Sequence, residues 1–322
     1  MYVIANREYG APSVLTLEEI DRPELDEDGI LVAVRAAAVN PYDWHTMRGT
    51  PYLVRMGEGL RRPKRTVRGV DMAGTVEAVG ANVTQARPGD EVFGWGRWGA
   101  FAEYERAGEK SCTPKPAGLS FEQAAAIPTA GCTALQGLRD VGHLQAGQRV
   151  LVNGAAGGVG TFAVQIAKAL GAEVTGVCST RNVDLVHSLG ADHVVDYTAD
   201  DFARAGQRYD VVFDLVGNRS LRDLRRTTTR KGTVVFCGGG DGNWLGPLQL
   251  PLRGMVVSKF VGQQLRMFLA HLRRDDLLFM SDLAADGKLT PVIDRTYPLR
   301  ETPEAVAYLE AGHARGKVVV TV

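Results

Sequence analysis

The chain has few cysteines and no excess of charge of either sign. Its 322 residues include only Cys112, Cys132, Cys178 and Cys237, too scattered for a CxxC pair. That excludes a disulfide framework and suits a reducing compartment, so a cytoplasmic protein is expected. Lysine and arginine total 37 and are balanced by 37 aspartates and glutamates. A neutral balance argues against nucleic acid as a partner. The basic cluster Arg61, Arg62, Lys64, Arg65, Arg68 reads as a solvated loop. No apolar run approaches the roughly 18 residues that cross a bilayer. The opening residues, MYVIANREYG, lack the basic start and apolar core of a signal peptide. No membrane is expected as a partner. A composition of 45% hydrophobic and 23% charged residues fits a globular protein, of about two domains at this length.

The most informative stretch is VLVNGAAGGVG, residues 150–160. An apolar strand runs into a glycine-rich turn, which opens a helical pattern carrying Phe162, Ile166, Ala169 and Leu170 on one face. Glycines let a backbone turn tightly and approach a pyrophosphate, and the N–H groups and positive end of the next helix bind its charge. The spacing, Gly154, Gly157, Gly160, is one residue longer than the usual loop, but strand, turn and helix follow in order. A second strand, residues 172–179, ends about 20 residues on, where the cofactor-selecting residue sits. An NAD site places an acid there. This chain has Ser179, Thr180 and Arg181, with no acid before Asp184. Hydroxyls and a guanidinium suit a 2′-phosphate, so NADPH is the expected cofactor. The plainer alternative makes Arg181 a solvated residue at a helix start.

The first third of the chain reads as β-structure: residues 2–5, 15–20, 30–39, 74–79 and 91–94, with a long loop at 50–68. From about residue 120 the pattern turns helical, interrupted by Pro128. Strands (150–153, 173–177, 193–195, 211–215, 233–237, and one near 255–261) then alternate with helices such as 183–189 and 220–227. That alternation predicts an α/β chain with a Rossmann-type, doubly wound parallel sheet. Gly238, Gly239 and Gly240 end one strand, and ligands bind at carboxyl ends of strands in this architecture. A helix over 264–286, a strand at 292–297, a helix at 303–311 and a strand at 317–322 close the chain. This tail breaks the alternation and is expected to complete the N-terminal domain. The expected division is 1–119 with 287–322, a β-rich GroES-like catalytic domain, and 120–286, the NADP-binding domain.

The stretch GQRVLVNGAAGGVGTFAVQIAK, residues 147–168, resembles the signature of the zinc-free quinone oxidoreductases. These form a zeta-crystallin-like group of the medium-chain dehydrogenase/reductase superfamily. The resemblance extends through VNPYDW (39–44), GVDMAGTVEAVG (69–80), PGDEVFG (88–94) and GAFAEY (99–104). The ending GHARGKVVV (312–320) is most similar to the reticulon-interacting oxidoreductase branch. By position, the resemblance implies that Ala156, Gly157, Gly158 and Val159 cradle the pyrophosphate. It sets Ser179 and Arg181 near the 2′-phosphate and Tyr197 beside the adenosine half. It implies that His313, Ala314 and Arg315 reach the cofactor, and that Asn40 and Thr133 lie near the nicotinamide. Each has a structural alternative: Thr133 as a helix cap, Tyr197 as packing, His313 as a surface residue.

Zinc-dependent relatives ligate their catalytic metal with Cys, His and Cys. The matching positions here are Asp43, Val70 and Thr129, and the cysteine-rich lobe for a structural zinc is missing. Valine cannot bind a metal, and a threonine hydroxyl replaces a thiolate poorly. No metal is expected, and His45, near Asp43, reads as structural. Without a Lewis acid, alcohol–ketone interconversion is hard. Substrates should be activated already: quinones or α,β-unsaturated carbonyls. Tyr42, Tyr52 or water could supply a proton. The expectation is a homodimeric NADPH-dependent quinone or enone oxidoreductase. The alternatives are an NADP-dependent alcohol or aldehyde dehydrogenase and a non-catalytic NADPH-binding protein.

Overall fold

The computed structural model describes residues 1–238 and 246–322, so Gly239 and Gly240 of the expected cofactor loop lie outside the described residues. The first stretch runs β1 (Tyr2–Asn6), β2 (Leu15–Glu19), β3 (Gly29–Val39), α1 (Pro41–Arg48), α2 (Val54–Glu58), β4 (Asp71–Val79), β5 (Glu91–Trp95), β6 (Tyr104–Gly108) and β7 (Cys112–Pro114). Next come α3 (Phe121–Ala125), α4 (Pro128–Gln136), β8 (Arg149–Asn153), α5 (Gly158–Ala169), β9 (Glu173–Cys178), α6 (Val183–Ser188), β10 (His193–Asp196), β11 (Tyr209–Asp214), α7 (Leu221–Thr227) and β12 (Thr228–Phe236). The chain ends with α8 (Gly246–Ser258), β13 (Gln264–Met267), α9 (Arg274–Ala285), β14 (Ile293–Pro298), α10 (Thr302–Glu310) and β15 (Lys317–Thr321).

Two compact units emerge: Met1–Cys132 with Leu272–Val322, and Thr133–His271. In the second, a parallel sheet takes the order β10-β9-β8-β11-β12-β13. Its central strands are apolar on consecutive residues because helices cover both faces. Val150, Leu151, Val152, Val212 and Phe213 are all fully buried. In the first unit the sheet order is β14-β15-β3-β4-β5-β7, with β6 also pairing β3. The β14–β15 pair is parallel and the other pairs are antiparallel. Ile30, Val32, Met72, Phe101, Val318 and Val320 fill its core. The C-terminal strand β15 lies beside β3 in that sheet, as the broken alternation of the tail foretold.

The units divide at 132/133 and 271/272, where the sequence suggested 119/120 and 286/287. The reason is packing. Thr129 bonds to Asp71, Met280 closes on Gly131, and the Arg274 Nε donates to the Cys112 carbonyl at 3.2 Å. Periodicity marks these helices but not the sheet they pack on.

Three local expectations fail. Residues 255–258 belong to helix α8, not a strand. The β-branched run there suggested a strand, but Leu250 and Val257, two helical turns apart, both pack on the core. The strand is β13, where a helix was expected from residue 264. Leu265 is buried between exposed Gln264 and Arg266 and pairs with Val234. The loop at 50–68 holds α2. Pro128 does interrupt the helical pattern: α3 ends at Ala125, and Pro128 opens the separate helix α4.

Candidate functional site

The first unit gathers a buried polar cluster at the ends of three adjacent strands. Register sets Val39 of β3 against Val318 of β15, and Ala38 of β3 against Asp71 of β4. Asn40 (just past β3), Asp71 (opening β4) and Lys317 (opening β15) are thereby brought together. The Lys317 ammonium donates to Asn40 Oδ1 at 2.5 Å, and Asn40 Nδ2 donates to Asp71 Oδ2 at 3.0 Å. The amide therefore has one orientation, oxygen toward the cation and nitrogen toward the carboxylate. Asp71 also accepts from the Thr129 N–H at 3.0 Å and the Thr129 hydroxyl at 2.6 Å. Asn40 caps α1 in extended conformation, and its N–H donates to Asp43 Oδ2 at 2.7 Å.

Lys317, Asp43, Asp71 and Asn40 are each 3% exposed or less. Burial dominates their electrostatics. It pushes the Asp43 carboxyl up to about 7, against the pull of the Asn40 N–H. It raises Asp71 and lowers Lys317, each effect opposed by the partner's charge. Breaking such a set by removing one charge typically costs about 3–5 kcal/mol. The signal for Asp71 and Lys317 was present in the sequence and was missed. Each is a lone charge bordering an apolar run, and a charge held in such a run must be paired.

Tyr42 stands near this cluster on α1, and Tyr52 lies in the loop that follows. Tyr42 Oη donates to Glu58 Oε1 at 2.8 Å, and burial together with this bond pushes the phenol up to about 12. Its proton is held more tightly than that of an ordinary phenol. Arg68 is buried, with Nε on Asn6 Oδ1 at 2.8 Å and its guanidinium 3.5 Å from Glu58. It is not the solvated residue the basic cluster suggested. Tyr52 is half-buried, with the Arg55 guanidinium 4.8 Å from its ring centre and 4.5 Å from that of Tyr9. His45 Nδ1 lies 2.7 Å from the Thr50 carbonyl and holds the end of α1.

The second unit builds the glycine turn. The N–H groups of Gly154 and Ala155 donate to the Val177 carbonyl, and Gly157 N–H donates to the Gly154 carbonyl. Gly154 sits at φ +93°, a region L side chains avoid, and a Cβ on Gly160 would come within 2.1 Å of the Gly154 oxygen. Glycine at both positions is what closes the turn onto α5. Gly157 caps α5 without any side-chain bond, and the N–H groups of Gly158, Val159 and Gly160 find no protein acceptor among the described residues. Three such donors at the positive end of a twelve-residue helix could hold a diphosphate. Ala156 lies in the same turn and is buried.

At the carboxyl end of β9, Ser179 Oγ accepts from Asn182 Nδ2 at 3.2 Å, and Arg181 projects exposed from a single helical turn. Tyr197 is 55% exposed, so it is no packing residue, and its N–H donates to the Cys178 carbonyl. Asp196, which the sequence reading overlooked, ends the neighbouring strand. Hydrogen bonds from Thr180 and Thr198 hold its carboxyl below the usual range. Between β8 and β11, Asn153 Nδ2 donates to Asp214 Oδ1 at 2.8 Å, while Asp214 Oδ2 is buried and has no hydrogen-bond partner among the described residues. Gly238 packs so closely that a Cβ would meet the Leu215 oxygen at 2.3 Å. Thr133 is buried on α4.

His313, Ala314 and Arg315 lie between α10 and β15 in the first unit. His313 and Arg315 are exposed, and the Arg315 N–H donates to Asp294. Of the positions matched to zinc ligands, Asp43 is committed to Asn40, Val70 offers no donor, and the Thr129 hydroxyl is spent on Asp71. No group of three His, Cys, Asp or Glu able to hold a metal occurs among the described residues.

Comparison with known proteins agrees with this architecture. Residues 26–117 match the alcohol dehydrogenase GroES-like domain, and residues 189–320 match a family described as zinc-binding dehydrogenase. The chain is 35% identical to the 2-methylene-furan-3-one reductase of Solanum lycopersicum, across 97% of this chain and 77% of that one. It is 35% identical, with the same coverage, to the chloroplastic NADPH-dependent alkenal/one oxidoreductase of Arabidopsis thaliana. The solved quinone oxidoreductase from Coxiella burnetii superposes with a TM-score of 0.86 at 32% identity, covering 100% of this chain and 99% of that one. The chain belongs to the quinone-oxidoreductase group of the medium-chain dehydrogenase/reductase superfamily.

Proposed function

We propose that the chain is a zinc-independent, NADPH-dependent oxidoreductase that transfers a hydride to a quinone or an α,β-unsaturated carbonyl. The observation that carries this reading is the set of three N–H groups at the start of α5 that have no acceptor among the described residues, beneath a turn that only glycine closes. Relatives named as alkenal/one and furanone reductases support the substrate class. When bound, NADPH would supply the hydride.

The chain's own residues have separate tasks. The amides of Gly158, Val159 and Gly160, with Ala156 and Gly157 shaping the turn, neutralise the pyrophosphate. Ser179 and Arg181 meet the 2′-phosphate, and Tyr197 lies along the adenosine half. His313, Ala314 and Arg315 close on the coenzyme from the C-terminal loop, and Gly238 lets the chain pass close to it. Asn40 and Thr133 orient the acceptor and the nicotinamide. Lys317 and Asp71 hold Asn40 in one orientation, so no reorganisation is needed as charge develops. Tyr42, with its phenol near 12, is a poor acid at neutral pH. Tyr52 or water delivers the proton, and positioning supplies most of the rate.

The donor set supports zinc independence: a valine, a hydroxyl already bonded to Asp71, and a carboxylate already bonded to Asn40. We also propose a homodimer in the cytoplasm. The buried thiols of Cys112, Cys132 and Cys178 suit a reducing compartment. No helix among the described residues is long and apolar enough to cross a membrane.

The test is titration of purified protein with NADPH, followed by turnover on a panel of quinones and enones and by metal analysis. A melting-point rise with NADPH and turnover without zinc are expected. Stoichiometric zinc with alcohol oxidation would favour an alcohol or aldehyde dehydrogenase. Saturable NADPH binding with no turnover would favour a binding protein.

A further inference from the structure

The chain is neutral as a whole, yet residues 219–231 carry Arg219, Arg222, Arg225, Arg226, Arg230 and Lys231 against one acid, Asp223. Four of these arginines, 222, 225, 226 and 230, line one depression of about 440 Å³ together with Gly262 and Gln263. We propose that this depression is a binding site for a multiply charged phosphate anion, separate from the coenzyme cradle.

Helix electrostatics alone does not explain the cluster. Arg225 and Arg226 lie in the last turn of α7, where a cation complements the helix dipole. Arg222 lies in the first turn, where it does not, and Arg230 is on β12. None of the four pairs with a carboxylate among the described residues. Asp223 is engaged with the Ser220 hydroxyl, and Asp210 with the Arg149 N–H and the Thr229 hydroxyl. Arg219, by contrast, is paired with Asp201. Four unneutralised guanidinium groups around one dent repel one another, and a polyanion relieves that repulsion.

The depression is also braced. Gln263 is 7% exposed and accepts from Arg225 Nε at 3.1 Å. Its Nε2 donates to the carbonyls of Arg225, Thr228 and Thr229. One face of the Arg225 guanidinium is thus fixed, and its terminal nitrogens remain for a ligand. Gly262 presents bare backbone: a Cβ there would come within 2.8 Å of the Arg230 oxygen. Guanidinium forks match phosphate oxygens in pairs, and the volume falls within the range of small-molecule sites. The site lies at the amino ends of β12 and β13, whereas the glycine turn follows the carboxyl end of β8 in the same parallel sheet. The two sites are therefore at opposite ends of the strands.

The phosphate could be free oligophosphate or the tail of a nucleoside triphosphate. The test uses full-length protein saturated with NADPH, titrated calorimetrically with tripolyphosphate and, separately, with ATP at fixed physiological ionic strength. Saturable binding to one site is expected. Arg222 and Arg226 are exposed, so the double variant R222Q/R226Q should fold normally. It should lose about tenfold or more in tripolyphosphate affinity, with unchanged melting temperature and NADPH affinity, and R230Q should repeat the loss. Equal affinities for the two anions assign the site to oligophosphate, and tighter ATP binding assigns it to the nucleotide. The proposal fails if tripolyphosphate gives no heat, if the variants bind it normally, if NADPH displaces it, or if sulfate at equal ionic strength abolishes it. It also fails if a short single-stranded oligonucleotide binds far more tightly than either anion. Loss of NADPH binding with tripolyphosphate binding retained would instead count against the coenzyme reading alone.

Discussion

Lys317 and Asn40, 277 positions apart, meet in a 2.5 Å hydrogen bond that ties the last strand to the start of α1. The lysine is the only cation in direct hydrogen-bond contact with this buried cluster among the described residues, and it faces two buried carboxylates, Asp43 and Asp71. Replacing it with an apolar side chain of similar length leaves Asp71 without its compensating cation and Asp43 with only the Arg68 charge. Lys317→Met should lose about 3–5 kcal/mol of stability, read by chemical denaturation. Lys317→Arg should recover part of that loss. A Lys317→Met protein as stable as the parent would show that the cluster carries no net charge balance.

Within the same cluster, Asp43 should titrate near neutrality. Burial raises the Asp43 carboxyl from its ordinary 3.8 to about 7 in the folded protein. Between those values the folded state holds a proton that the unfolded state has released. The Asp43 contribution therefore becomes less stabilising as pH rises from about 4 to about 7, and is flat beyond. Glu105, also raised to about 7 by burial, acts in the same direction. Asp43→Asn should flatten the fall in stability over that window, and the Asp43 carboxyl carbon should titrate near 7 by NMR. A midpoint near 4 would overturn this assignment.

Arg181 tests cofactor choice. A guanidinium on a 2′-phosphate contributes about 1.5–3 kcal/mol, so Arg181→Ala should weaken NADPH binding about ten- to hundredfold. NADH binding should scarcely change. Equal losses for both coenzymes would return Arg181 to the role of a solvated helix-start residue.

Gly160 tests the cradle. Its added methyl would strike the Gly154 carbonyl oxygen, 2.1 Å away, and push the turn off α5. Gly160→Ala should reduce NADPH affinity by at least about tenfold, a loss of about 1.4 kcal/mol or more, measured by fluorescence titration. A variant that folds and binds normally would show that the turn has slack.

Tyr52 and Tyr42 test the proton. If positioning carries the rate, neither Tyr52→Phe nor Tyr42→Phe should cost as much as the roughly 10²–10⁴-fold typical of a lost general acid. A drop of about 10³-fold in kcat for Tyr52→Phe would make Tyr52 the acid.

The sequence by itself determined the cradle and the sheet around it, because both are local. A strand buried on both faces is a consecutive apolar run, and a tight turn needs glycine wherever φ is positive or a carbonyl stands where Cβ would be. Residues 150–160 contain all of that within one short segment. Tertiary structure alone decided the Asn40–Asp71–Lys317 cluster, since its members are far apart in the chain and meet only through the β15-β3-β4 register. It also decided that Arg68 is buried, that residues 246–258 form a helix although part of that run looks like a strand, and that α9 packs with the first unit. In each case the residue's own propensity was weaker than the free energy of pairing a charge or covering an apolar face, and those terms exist only once distant segments are in contact.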